Sequence, residues 1–134
     1  IAHPEVLEIY DDDIAWYGDN GSVRVYYQSS NAQTTGIGFR LHYNSSSMKV
    51  ASINQYTSGA LVMTSPESAQ SDTNNKDNND ATDAYLTFAW FEMNGNGNSA
   101  QAATIEFERL NNGANNYSID YSVTSSSAGY QFVK

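Results

Sequence analysis

A chain of 134 residues with fifteen acidic and six basic side chains, a formal net charge of -9 and a pI near 4.3 has no cationic footprint for phosphate backbones or anionic lipid, which excludes nucleic acid as a partner. The absence of cysteine removes disulfides, thiolate zinc sites and cysteine nucleophiles together. With 40% hydrophobic residues, ten Tyr and five Phe the chain has the means to fold as one module, and a surface of Asn, Ser, Thr, Gln and Gly with only 16% charged residues suits an extracellular setting.

Period-two alternation runs through most of the chain and no window carries a 3.6-residue apolar stripe of helical length, which predicts an all-β fold. Ile1 in place of Met reads as the start of a module excised from a larger protein, and without a run of about 18 apolar residues no membrane insertion is expected. Val6 to Tyr10 predicts a first short strand. Asp11, Asp12 and Asp13 follow, with Asp19 beyond Trp16 and Tyr17. Their adjacent carboxylates repel one another, so a cation or solvent is expected to attend them. After the turn Gly18-Asp19-Asn20-Gly21, Val23, Val25 and Tyr27 alternate with Arg24 and Tyr26. Ile37, Phe39, Leu41 and Tyr43 then alternate with Gly38, Arg40 and His42, which places His42 on a wet strand face.

Asn44 to Ser47 reads as a turn, followed by shorter strands at Met48 to Ile53 and Leu61 to Met63. Residues 64–83 hold almost no large apolar side chain and predict a long loop. Leu86, Phe88 and Trp90 share one face of the next strand, but Tyr85, Ala89 and Phe91 make the other face apolar too, so this strand is expected to be central and covered on both sides. The turn Asn94 to Asn98 leads to Ala103, Ile105 and Phe107 facing one way and Thr104, Glu106 and Glu108 the other. Past the turn Asn111-Asn112-Gly113, Tyr117, Ile119, Tyr121 and Val123 repeat the alternation, and Tyr130 to Val133 ends the series. Eight or nine strands in one unit, 1–134, fit a two-layer β-sandwich of jelly-roll topology.

Two stretches resemble the cohesin-like family. GSVRVYYQSSNAQTTGIGFRLHYNSSSMKV is similar to that family's early strand, polar spacer and Gly-containing strand ending in Tyr-Asn, and LTFAWFEMNGNGNSAQAATIEFERL is similar to its Ala-Trp strand, Gly-rich turn and Ala-Thr-Ile strand. The resemblance covers most of the chain in the expected order. It implies the nine-stranded jelly roll shared with several carbohydrate-binding modules, and a bacterial extracellular or cell-surface protein that binds another protein or adheres. The long acidic loop resembles versions embedded in very large surface proteins.

Candidate sites fall into three groups. Asp72, Asn74, Asp77, Asn79, Asp80 and Asp83 offer closely spaced oxygen donors of the kind Ca²⁺ takes, although Lys76 and the missing Gly and Glu break the EF-hand pattern. The other reading of the loop is a solvated segment whose Asn and Asp favour turns. Trp16, Tyr17, Tyr26, Tyr56 and Tyr85 are the candidates for an aromatic platform that stacks on polysaccharide, set against a reading of most Tyr as core and rim residues. Catalysis has the weakest support: His3 and His42 lack a nucleophile motif, and Glu106 and Glu108, about 7 Å apart on a strand face, have a spacing that any alternating acidic pair shares. The Gly-rich NGNGN lacks the spacing of a phosphate loop, and the N-x-[ST] tripeptides at Asn44 and Asn116 are chance matches in an Asn- and Ser-rich chain. The expected function is therefore that of a non-catalytic, monomeric interaction or adhesion module. A carbohydrate-binding module and a structural spacer stand as the other readings.

Overall fold

A computed structural model describes residues 5–29, 36–55, 60–62, 69–91, 99–111, 113, 115–123 and 130–133. Eleven strands follow in order: β1 (Glu5–Asp11), β2 (Ala15–Tyr17), β3 (Asn20–Ser29), β4 (Gly36–Tyr43), β5 (Met48–Gln55), β6 (Ala60–Val62), β7 (Gln70–Ser71), β8 (Ala84–Phe91), β9 (Ser99–Arg109), β10 (Ile119–Val123) and β11 (Tyr130–Val133). One sheet has the order β11-β1-β3-β9-β5 with β2 attached to β3, and the other runs β10-β4-β8-β6 with β7 attached to β8. Every pairing is antiparallel except β1 with β11. Among the described residues no helix is long and apolar enough to cross a membrane.

Nine strands make up the two sheet paths, as the alternation predicts, and the two short ones escape it because three and two residues cannot display a period. The inward set is the one expected: Val23 and Val25 from β3 and Ala103, Ile105 and Phe107 from β9 meet Phe39 and Leu41 from β4 and Leu86 and Phe88 from β8, all buried. Phe39 and Phe88 stack at 5.1 Å across the β4–β8 pair, and Tyr43 meets Phe107 edge-on between the sheets at 5.6 Å. Each such side chain contributes about 1.5–3 kcal/mol on burial, which makes this layer the source of the fold's stability.

Register shifts between Val25 and Tyr26 and between Val50 and Ser52 interrupt the β9 pairings and bend that sheet. The central position of β8 matches the sequence reading, since β8 lies between β4 and β6 and its residues Leu86 and Tyr85, on opposite faces, are both buried. Residues 69–83 are not one uninterrupted loop, because β7 pairs with β8 through Gln70↔Tyr85 and Ser71↔Ala84. The turn at Asn94 to Asn98 lies outside the described residues.

Candidate functional site

The outer face of the β10-β4-β8 strands carries Asp120, His42 and Tyr85 in one register row, with Gln70 of β7 beside Tyr85. On a strand pair, residues in register project to the same side, so these four side chains form a continuous polar band. Residues 72–83, in which only Ala81 is apolar, fold over it. Left-handed backbone at Asn75 (φ 50°) and Asn78 (φ 52°) turns the chain twice in a short span, and Asn accepts that conformation at low cost. The Asp72 N–H donates to the Asp83 carbonyl at 2.9 Å and the Asp83 N–H to the Tyr43 carbonyl at 3.0 Å, which closes the ends of the loop onto β4.

His42 is therefore fully buried, with 0% exposure, and not on a wet face as its alternation implied. Period-two reasoning locates a side chain on a face but cannot see a distant loop that covers that face. His42 Nδ1 lies 3.1 Å from Asp72 Oδ2 and 3.6 Å from Asp77 Oδ2, and the two carboxylate side chains have no exposed surface. On the other side of the ring, Nε2 is 2.7 Å from Ser122 Oγ, which also accepts from Arg40 at 3.2 Å. Burial pushes the imidazole below its ordinary pKa, against the pull of the Asp77 and Asp72 carboxylates. The Lys76 N–H donates to both oxygens of Asp72 at 2.9 and 3.0 Å, and the Thr82 hydroxyl donates to Asp77 Oδ2.

The six oxygen donors expected to bind Ca²⁺ do not converge. Asp72 and Asp77 meet at His42. Asn79 donates to Asp120 Oδ2 at 3.1 Å, and its own Oδ1 accepts the Ala81 N–H. Asp80 accepts from the Asn75 side chain at 2.9 Å, Asp83 accepts from the Ser45 N–H at 2.7 Å and hydroxyl at 2.8 Å, and Asn74 is exposed. Asn79, Asp80 and Asp83 are occupied in holding the loop down.

The platform aromatics scatter as well. Tyr85 is buried beneath the loop, with its hydroxyl donating to Gln70 at 3.0 Å and Lys76 over its ring at 5.2 Å, so it offers no stacking face. Trp16 is half-buried against Tyr117 at 5.0 Å, under the Arg109 guanidinium at 4.2 Å. Tyr17 is 79% exposed, and Tyr26 stacks on Tyr10 at 5.4 Å on the outer face of the other sheet. Tyr56 lies outside the described residues. Two of the aspartates near the start have partners within the chain: Asp12 pairs with Arg24 at 2.5 Å, and Asp11 accepts from the Tyr121 hydroxyl at 2.5 Å. Glu106 accepts from Ser52 at 2.7 Å and Glu108 lies 3.7 Å from Lys49, both on an open strand face.

Neither a family model nor a curated protein matches the chain. Solved structures do match its fold. A crystal structure of a CaDoc0917–CaCohA2 complex at pH 5.5 aligns over 90% of this chain and 83% of that one, with TM-score 0.53 and 14% identity. The solution structure of CaCohA2 from Clostridium acetobutylicum aligns over 92% and 77%, with TM-score 0.50 and 12% identity. CaCohA2 is a cohesin, so this chain has a cohesin-like β-sandwich fold.

Proposed function

We propose that the chain is a non-catalytic, extracellular module that binds another protein through its sandwich surface. The observation that carries this reading is the likeness of fold to a cohesin whose solved complex contains CaDoc0917. The chemistry of the sites is consistent with it. His42 and the Ser122 hydroxyl beside its Nε2 are both buried, so that pair offers no open face to a substrate, and the paired glutamates of β9 are engaged by Ser52 and Lys49. Since the loop covers His42 and Tyr85 on the outer face of the β10-β4-β8 strands, the open face of the other sheet is the surface we assign to a partner. That face presents Arg24, Tyr26 and Glu106, with a groove of about 320 Å³ bordered by Tyr17, Ser22 and Ala51.

The test is biolayer interferometry with the chain immobilised and a panel of purified dockerin modules in solution. Saturable one-to-one binding, weakened at least tenfold by Tyr26→Ala or Glu106→Arg, is the expected result. No binding by any dockerin, combined with retention of the chain on an immobilised polysaccharide, would refute it. The carbohydrate reading keeps Tyr17 and the Tyr10–Tyr26 stack in its favour, but Tyr85 is lost to it and Trp16 is committed to Arg109 and Tyr117.

A further inference from the structure

We propose that His42, Asp72 and Asp77 form a binding site for one divalent transition-metal ion of the zinc class, held between the outer face of the β10-β4-β8 strands and the loop 72–83. Donor atoms of all three residues lie within 4.8 Å of one another. Two ligands held at about 2.1 Å around a tetrahedral ion stand about 3.4 Å apart. The observed separations from His42 Nδ1 to Asp72 Oδ2 and to Asp77 Oδ2, 3.1 and 3.6 Å, fall on either side of that value.

The second, independent observation is the imidazole itself. Its Nδ1 is buried and has no hydrogen-bond partner, although it is aimed at two carboxylates. In the tautomer that carries its proton on Nε2, directed at Ser122 Oγ, the Nδ1 lone pair faces the carboxylate oxygens. That contact is repulsive without a cation and becomes a ligand set with one. A metal-binding histidine commonly has its remote nitrogen fixed by a hydrogen bond in this way, which sets both tautomer and ring orientation. The carboxylates are also pre-oriented, Asp72 by the Lys76 N–H and Asp77 by the Thr82 hydroxyl.

The nitrogen decides the class of ion. Calcium and magnesium take oxygen ligands, whereas imidazole suits zinc, nickel, copper and iron. Three protein donors leave one tetrahedral position for water. Such an ion would neutralise two carboxylates that the fold has taken out of water, and it would tie the loop to β4 regardless of which partner the module binds.

The experiment uses the full chain in a His3→Ala background, which removes the other imidazole, after chelation and dialysis. Zn²⁺ and Ca²⁺ are titrated separately by calorimetry and thermal melting, and Co²⁺ by visible absorption. Expected are one equivalent of Zn²⁺, a rise in melting midpoint on the order of 10 °C at a hundredfold excess over Kd, and the intense d–d bands of tetrahedral cobalt. Asp72→Asn and Asp77→Asn should each weaken Zn²⁺ at least thirtyfold. Because substitution of His42 endangers folding, the unmutated ring is followed by its ¹⁵N resonances, and Zn²⁺ should move Nδ1 far more than Nε2. The proposal is overturned by zinc binding that both Asp→Asn variants leave unchanged, by an unmoved Nδ1 resonance, or by Ca²⁺ stabilising the chain as strongly as Zn²⁺.

Discussion

Replacing Gly21 by Ala tests how the β2 edge is packed. Gly21 pairs with Trp16 of β2 on one side and with Phe107 of β9 on the other. A Cβ built there would stand 2.7 Å from Trp16 Cε3, 2.8 Å from Trp16 Cζ3 and 2.8 Å from Ile14 Cγ2. Carbon atoms in contact prefer about 3.5–4.0 Å, so the indole must withdraw by roughly 0.8 Å or more. The cavity of about 280 Å³ that it shares with Asp11 and Tyr117 offers room, and a shift of that size disturbs its contact with the Arg109 guanidinium 4.2 Å from the ring. Overpacking of this kind costs about 1–3 kcal/mol, and weakening an exposed cation–π contact adds about 0.5–1 kcal/mol. A total near 2–3 kcal/mol lowers the midpoint of a domain this size by roughly 6–15 °C. Circular dichroism melts of Gly21→Ala, Trp16→Ala and the double variant measure the coupling, because the share of the penalty owed to the indole should disappear with it while the share owed to Ile14 remains. A Gly21→Ala midpoint within about 1 °C of the parent would refute the packing argument. So would a penalty that persists undiminished alongside Trp16→Ala.

Alkaline stability should depend on Tyr121, whose phenol is pushed well above its usual pKa by burial and by the Asp11 carboxylate that accepts its proton. A raised pKa means that the fold favours the neutral phenol: its contribution is complete below about pH 10 and is lost as pH rises through the folded-state value. In an absorbance titration at 295 nm Tyr121 should ionise only with unfolding, and Tyr121→Phe should flatten the alkaline decline in melting midpoint. Ionisation of all ten tyrosines near pH 10 in the folded state would count against this. Asp83→Ala removes both hydrogen bonds to Ser45 that close the end of the loop, an exposed contact whose loss should cost about 1 kcal/mol. Hydrogen exchange of amides 72–83 should quicken several-fold while β3 and β9 stay protected, and unchanged exchange in the loop would contradict that anchoring role.

What could be read from the sequence was whatever repeats every second residue. The inward residues of β3, β4, β8 and β9 follow from alternation alone, because a strand in a two-layer sandwich has one face fixed by the core. The cover on both faces of β8 was legible in part: Tyr85, an aromatic residue on the side opposite Leu86, is buried, whereas Thr87 on the same side as Tyr85 is exposed. The site was not legible. Asp72 and Asp77 drew notice as oxygen donors, but the partner that unites them is His42, thirty residues earlier in the chain. Nothing in FRLHY distinguishes a histidine facing water from one facing a loop that folds back from beyond β7. One signal was present: β4 lies between two strands, so any side chain on its outer face has neighbours on both sides, here Asp120 and Tyr85. A polar residue flanked in that way needs only a cover to be buried. The partners of two starting aspartates were hidden for a related reason. Arg24, which pairs with Asp12, and Tyr121, which donates to Asp11, lie on β3 and β10, and sequence proximity among like charges says nothing of cross-strand pairing.

The loop 72–83 holds to the sandwich by means unlike those that hold the sheets together. With Ala81 its sole apolar side chain, the hydrophobic effect contributes almost nothing to seating it. Its attachments are hydrogen bonds: Asp83 to Ser45, Asn79 to Asp120, the Asn116 side chain to the Ala81 carbonyl at 3.1 Å, and the backbone bond to Tyr43. Each contributes only about 0.5–1.5 kcal/mol net, so the lid is separable from a core whose members contribute more apiece. Against this modest gain stands the removal of Asp72, Asp77 and His42 from water, an arrangement costly for charged groups unless they are neutralised in place. A cation at His42 Nδ1 would shift that balance, because it would neutralise carboxylates that are buried when the lid is closed and returned to solvent when it is open.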